Sequence, residues 1–326
     1  TRYVTLSYCW GILGDNAVTT KDNLSQRLQQ ISNSTLPKTI QDAIRVARLL
    51  KIKYLWVDAL CIIQPTPNDS GDWAHESARM GSYYRNAYCT IAAATAADCN
   101  QGPFNKRFGV EYSLEPVKVK TRPFQGGLGG PKLEPCKTVF YPMIPSRDVA
   151  IDQSPLLSRG WVLQELVLSH RALYFTKDAV FWGCRRLAAT EFCPSGTPDQ
   201  LRDWRTLKSG WNGESMTSRI LDVQKRLSTR NSLTVRDDGD WYNLAELFSR
   251  MKLTHQTDSL AAISGLAKAW AKGQPDEYVC GIWKRSLLQG LLWRQDPENA
   301  NETVRRQRTA SGSSEVYIAP SWSWVS

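Results

Sequence analysis

What most constrains this chain is a series of apolar runs of strand length that alternate with segments of helical period. Arg2–Trp10, "RYVTLSYCW", is rich in β-branched and aromatic residues and is closed by Gly11, so it reads as a buried strand feeding a loop. Pro37 opens a segment in which Ile40, Ala43, Ile44, Ala47 and Leu50 recur at helical spacing. Lys53–Gln64, "KYLWVDALCIIQ", is nearly continuous in apolar residues and stops at Pro65, the pattern of a central parallel strand and its exit loop. Asp72 stands where an N-cap would, ahead of a helical stripe through Trp73, Ser77, Met80, Tyr84 and Ala87, with Glu76 in the first turn. "YCTIAAATAA" then offers a third strand.

From about Asp98 to Pro155 the pattern lapses into an irregular surface insertion with "QGGLGGP" at its middle; its glycines join no strand to a helix and carry no dinucleotide fingerprint. "LLSRGWVLQELVLS" is the next helix, and "RALYFT" and "AVFWGC" are two strands separated by Lys177-Asp178. The alternation predicts an α/β fold with a doubly wound, mostly parallel sheet. Residues 1–190 are expected to form the sheet domain, with the insertion at about 98–155. Residues 191–326 are polar, Trp-punctuated and mainly helical, and are expected to pack on it as a C-terminal extension ending in a strand, "VYIAPSWSWV". Both ends interrupt strand-like runs, so a longer protein is expected on either side.

Composition narrows the function. Eight cysteines show no C-x-x-C pair and no zinc-ligand spacing. Cys9, Cys61 and Cys89 lie in apolar runs, where buried, reduced thiols are expected; neither a thiol nucleophile nor a metal centre is implied. The net charge of +10 is dispersed, and no zinc finger or RNP-type strand accompanies it, so nucleic acid gains no support as a partner. Without a signal peptide or a membrane-length apolar segment, the expected setting is the cytoplasm, with no membrane partner.

Four stretches, "YVTLSYCWG", "YLWVDALCIIQ", "DWAHESARMGSYYRNA" and "RGWVLQELVLSHRALYF", occur in an order that closely resembles the fungal heterokaryon-incompatibility (HET) domain, over roughly residues 3–185. The resemblance implies self/non-self recognition and regulated cell death after fusion of unlike fungal cells. HET domains are in turn similar to Toll/interleukin-receptor (TIR) domains, whose flavodoxin-like sheet carries a helix of the form Trp-Cys-x-x-Glu-Leu. Here Trp161, Glu165 and Leu166 repeat that spacing, with Val162 in place of the Cys. That likeness implies cleavage of the nicotinamide–ribose bond of NAD, with Glu165 as the catalytic carboxylate. It also implies NAD or a related nucleotide as substrate, no cofactor besides it, and activation by self-association; it leaves the upstream recognition partner open.

The residues themselves leave more than one reading of Glu165. It is the one charge in the run from Gly160 to Ser169 and shares a helix face with Trp161, four residues earlier. A carboxylate there is either ion-paired with Arg159 or Arg171, directed to solvent, or set in a pocket. Loss of a neutral leaving group from a cation needs no general acid, only a carboxylate beside the ribose, an aromatic wall, and polar groups for the pyrophosphate. Open α/β sheets offer these at the carboxyl ends of their strands. The candidates after the first two strands are Ser7, Tyr8, Trp10, Gly11, Asp58 and Gln64, with Arg159 and Trp161 from the helix; each has a purely structural alternative as a packing aromatic, a cap or a loop-fixing acceptor.

Overall fold

A computed structural model describes residues 1–11, 17–104, 117–120, 137–140, 147–184, 187–191, 194–196, 216–229, 239–271, 277–294 and 317–326. Its centre is a six-stranded sheet. The β-branched and aromatic runs supply β1 (Tyr3–Ser7), β2 (Tyr54–Trp56), β3 (Cys89–Ala92), β6 (Arg171–Phe175), β7 (Val180–Cys184) and β8 (Ala188–Thr190), in the order β2-β1-β3-β6-β7-β8. β1 pairs in parallel with β2 and β3, and β3 with β6, while β7 and β8 add antiparallel. The side on which successive strands are added therefore switches at β1, with β2 on one side of it and β3 on the other. Inside the insertion, β4 (Val117–Lys120) and β5 (Lys137–Phe140) form a separate antiparallel hairpin; β9 (Tyr278–Val279) and β10 (Ile282–Trp283) form another.

The helices are α1 (Lys21–Gln29), α2 (Lys38–Leu49), α3 (Asp58–Cys61), α4 (Trp73–Ser77), α5 (Met80–Asn86), α6 (Arg147–Asp152), α7 (Gly160–Leu168), α8 (Met216–Thr229), α9 (Gly239–Ser249), α10 (Ser259–Ala271) and α11 (Leu287–Leu291). Side chains of a strand alternate between faces, and β1 shows what each face is for. Val4, Leu6 and Tyr8 meet the buried stripe of α2, Ile40, Ala43, Val46 and Ala47. Thr5 and Ser7 point to the other face, which α5 and α7 cover. There a polar ladder runs from Thr5 Oγ1 to Thr90 Oγ1 (2.8 Å), on to Ser169 Oγ (2.5 Å), and from Ser169 Oγ to the Glu165 carbonyl (2.6 Å). Residues of α8, α9 and α10, among them Trp241, Phe248, Leu266 and Trp270, share one core with Leu163 and Leu166 of α7. α7 is thus enclosed by sheet on one side and C-terminal helices on the other, and all nine of its residues are buried.

Several expectations need correction. Lys53–Gln64 is not a central strand: β2 is three residues long, lies at the sheet edge, and leaves Tyr54 50% exposed. The rest of that apolar run turns into α3, which places Cys61 at the surface and not in the core. The helix after Asp72 is two helices, because Arg79 N and Ser82 N bond three residues back, to Glu76 and Arg79, and break the four-residue ladder. Asp72 sits at the cap position, yet its carboxylate accepts from Ile63 N at 2.7 Å and so ties down the preceding loop. The insertion is not wholly irregular surface, since it contains the β4–β5 hairpin and α6 with buried Ala150 and Ile151. Residues 317–326, expected as a strand, run through turns.

Candidate functional site

The site is built where the carboxyl end of β1 meets α7. Ser7 is the last residue of β1 and lies in register with Ala92 of β3; Tyr8 and Trp10 follow in the loop. Gly11 has φ +62°, and a Cβ there would come within 2.5 Å of Asp98 Cβ, so this glycine is demanded by the close approach of two loops. Asp58 begins α3, where its Oδ1 accepts from Ala59 N (2.7 Å) and its Oδ2 from Trp10 Nε1 (2.8 Å). Gln64 donates to the carbonyls of Asp58 (3.3 Å) and Ile62 (3.2 Å), bracing the same turn.

From α7 come Arg159, at its N-cap, and Glu165. The Arg159 guanidinium donates to the Tyr8 carbonyl and acts electrostatically on Tyr8, Cys9, Asp58 and Glu165 together. It forms no ion pair with Glu165. Arg171 is spent elsewhere, on the carbonyl of Tyr88 at 3.2 Å and over the Tyr88 ring. Glu165 is 5% exposed, and its Oε2 is buried without a hydrogen-bond partner. The Ser7 hydroxyl lies beside it, outside strict hydrogen-bond geometry but near enough to favour the carboxylate, and the Tyr84 hydroxyl donates to the Leu6 carbonyl at 3.0 Å.

Two buried carboxyls therefore share the influence of one cation. Asp58 holds two hydrogen bonds that favour its charged form, so burial lifts its pKa against their opposition and that of Arg159. Glu165 has less support. Burial pushes it up to about 7; the Asp58 charge adds to the shift, and the polar neighbours Ser7, Arg159 and Tyr84 oppose it without cancelling it. With its pKa pushed up to about 7, this carboxyl is close to the balance between its two forms at neutral pH, which makes it a candidate for chemistry.

Trp161 shares the α7 face with Glu165, packed edge-on against Trp73 (centroids 5.3 Å apart), and its Nε1 donates to Asp258 at 3.4 Å. The site is closed to solvent, with Ser7, Tyr8, Asp58 and Glu165 all buried; a surface hollow lined by Val167, His170 and Gln224 lies at the end of α7, and another runs along Tyr3, Tyr54, Trp56 and Tyr83. Of the nine residues expected at the site, Ser7, Tyr8, Asp58, Arg159 and Glu165 interact directly. Trp10 and Gln64 join through Asp58, whereas Gly11 and Trp161 shape its borders. Tyr84 and Asp258 were not expected there. Tyr84 carries a signal in hindsight, as the one buried hydroxyl of the α5 stripe; Asp258 carries none, being 93 residues further along the chain.

Gln164 is the other unexpected polar group. It is wholly buried, and neither amide atom has a hydrogen-bond partner. Gln164→Met keeps the volume and removes the unmet polar atoms, so it should raise stability by about 1–2 kcal/mol, read as a higher urea midpoint at unchanged slope.

Among known proteins, a sequence profile described as Heterokaryon incompatibility protein (HET) matches residues 3–165. No curated protein sequence and no solved structure gives a significant match. The matched segment spans half the chain, carries every site residue from Ser7 to Glu165, and ends on the buried carboxyl itself. The chain belongs to the heterokaryon incompatibility (HET) family.

Proposed function

We propose that this HET protein executes cell death in the cytoplasm by cleaving the nicotinamide–ribose bond of NAD at Glu165. The family carries the link to incompatibility and death; the observation that carries the chemistry is a carboxyl buried without an ion pair at the carboxyl end of β1. The strand order β2-β1-β3-β6 has its switch point beside that end, as in flavodoxin-like sheets, which bind ligands there. The Trp161–Glu165–Leu166 spacing supports kinship with TIR domains. The six described cysteines are all free, which fits a reducing compartment.

In this reading the glycosidic C–N bond breaks with its electron pair leaving on neutral nicotinamide. The ionised Glu165 stabilises the ribosyl cation, which water then captures, losing a proton to solvent. Arg159, Ser7 and the amides after β1 hold the pyrophosphate, and Trp161 walls the ring. Self-association opens the closed site. A second reading is favoured by that closure: Glu165 is a protonated core residue, and the domain signals death through homotypic contacts alone. Nicotinamide release by the full chain, held at high density on a surface, separates the two. Release that depends on Glu165 supports the enzyme, and death without release supports the signalling module.

A further inference from the structure

One indole stands between the buried carboxyl and the surface. A helical side chain leans back over the turn before it, so Glu165 reaches toward Trp161. Trp161 is the next side chain on that face of α7 and is 9% exposed; one turn further out, Ser158 lies in solvent.

Two neighbours hold the indole. Trp73, half-buried, packs edge-on against it with centroids 5.3 Å apart. Asp258 accepts from its Nε1 at 3.4 Å, a long bond and so a weak hold. Asp258 ends a strap, residues 252–258, that crosses the head of α7. The near end of the strap is stitched down: Gly160 N donates to the Lys252 carbonyl at 2.8 Å, and Lys252 N to the Ser158 carbonyl at 2.6 Å. Leu253 lies so close over Gly160 that a Cβ there would come within 2.7 Å of its Cδ2. Between the ends, Thr254, His255, Gln256 and Thr257 are exposed. The strap is thus tied firmly at Lys252 and lightly at Asp258, and it belongs to the extension beyond the profile match at 3–165.

We infer that Asp258 is a positioning residue whose bond to Trp161 keeps the indole over Glu165, and that release of the strap at this end admits the substrate; the link to catalysis rests on the reading of Glu165 given above. Cys9 reports opening without any NAD. It is 6% exposed and feels the charges of Arg159 and Glu165, whereas Cys89, 1% exposed at the start of β3, reports loss of the fold. The full chain is treated with iodoacetamide under native conditions, and both cysteine peptides are followed by mass spectrometry. Asp258→Ala should speed alkylation of Cys9 about tenfold and leave Cys89 unchanged. Asp258→Asn, which keeps an acceptor for the indole, should restore most of the protection. Trp161→Phe removes the donor, so it should act like Asp258→Ala, and the two together should exceed neither alone. A Cys9 rate unchanged by either substitution, or one that rises only in step with Cys89, overturns the inference, as do two effects that multiply. Faster alkylation of Cys9 with no nicotinamide release from any of these proteins upholds the strap and removes the NAD reading.

Discussion

Replacing Glu165 by Gln should cut nicotinamide release by the surface-clustered protein several-hundred-fold, with the circular dichroism spectrum unchanged. The amide preserves the shape of the side chain and removes the charge that opposes a ribosyl cation; loss of one such preorganised electrostatic group costs about 10²–10³ in rate. In the proposed reaction the working form of Glu165 is the carboxylate, and burial holds its pKa up to about 7. Activity of the unmodified protein should therefore rise with pH through about 7. Equal release by the Gln variant would leave the homotypic signalling module as the reading to pursue.

Gly265→Val should prevent folding at ordinary temperature. α10 crosses α5 with backbone against backbone: a Cβ at Gly265 would meet Gly81 Cα at 2.9 Å and would also strike Gln164 Oε1. A Cβ at Gly81 would likewise meet Gly265 Cα at 2.9 Å and Leu168 Cδ1 at 2.9 Å. Backbone cannot swing aside as the end of a long side chain can, and the clash lies directly on α7. The expected loss is about 4 kcal/mol or more, a large share of a domain's stability. Soluble expression and a thermal melt read it: a Gly265→Val protein that melts like the parent would mean α5 and α10 do not touch as described.

The strand–helix alternation was legible because a buried parallel sheet imposes it on the sequence, and β1, β3, β6 and β7 lie within the runs that announced them. Lys53–Gln64 misled for a physical reason: an apolar run of twelve residues reads the same whether it is one central strand or a short edge strand followed by a helical turn. Asp58 was the clue inside it, since a carboxylate beside the amide of Ala59 starts a turn. At the site, Glu165 stood out as a charge in an apolar helix. Gln164 did not, because a helix buried on every side has no polar face against which a misplaced amide shows. The C-terminal contacts to α7 were invisible beyond their apolar composition, being matters of packing between distant segments.

The proposed chemistry rests on Glu165 being buried without an ion pair. Its folded pKa, about 7, lies above the ordinary 4.5, so the fold favours the protonated form. That contribution to stability is complete below about pH 4.5 and is lost as pH rises through about 7, amounting to about 3 kcal/mol in all. The direct measurement is a carbon-13 titration of the side-chain carboxyls in glutamate-labelled protein, with Glu165→Gln identifying the resonance. A Glu165 midpoint close to 7 is the predicted result, whereas a midpoint at or below 4.5 would mean the carboxylate is solvated or paired and would contradict the account.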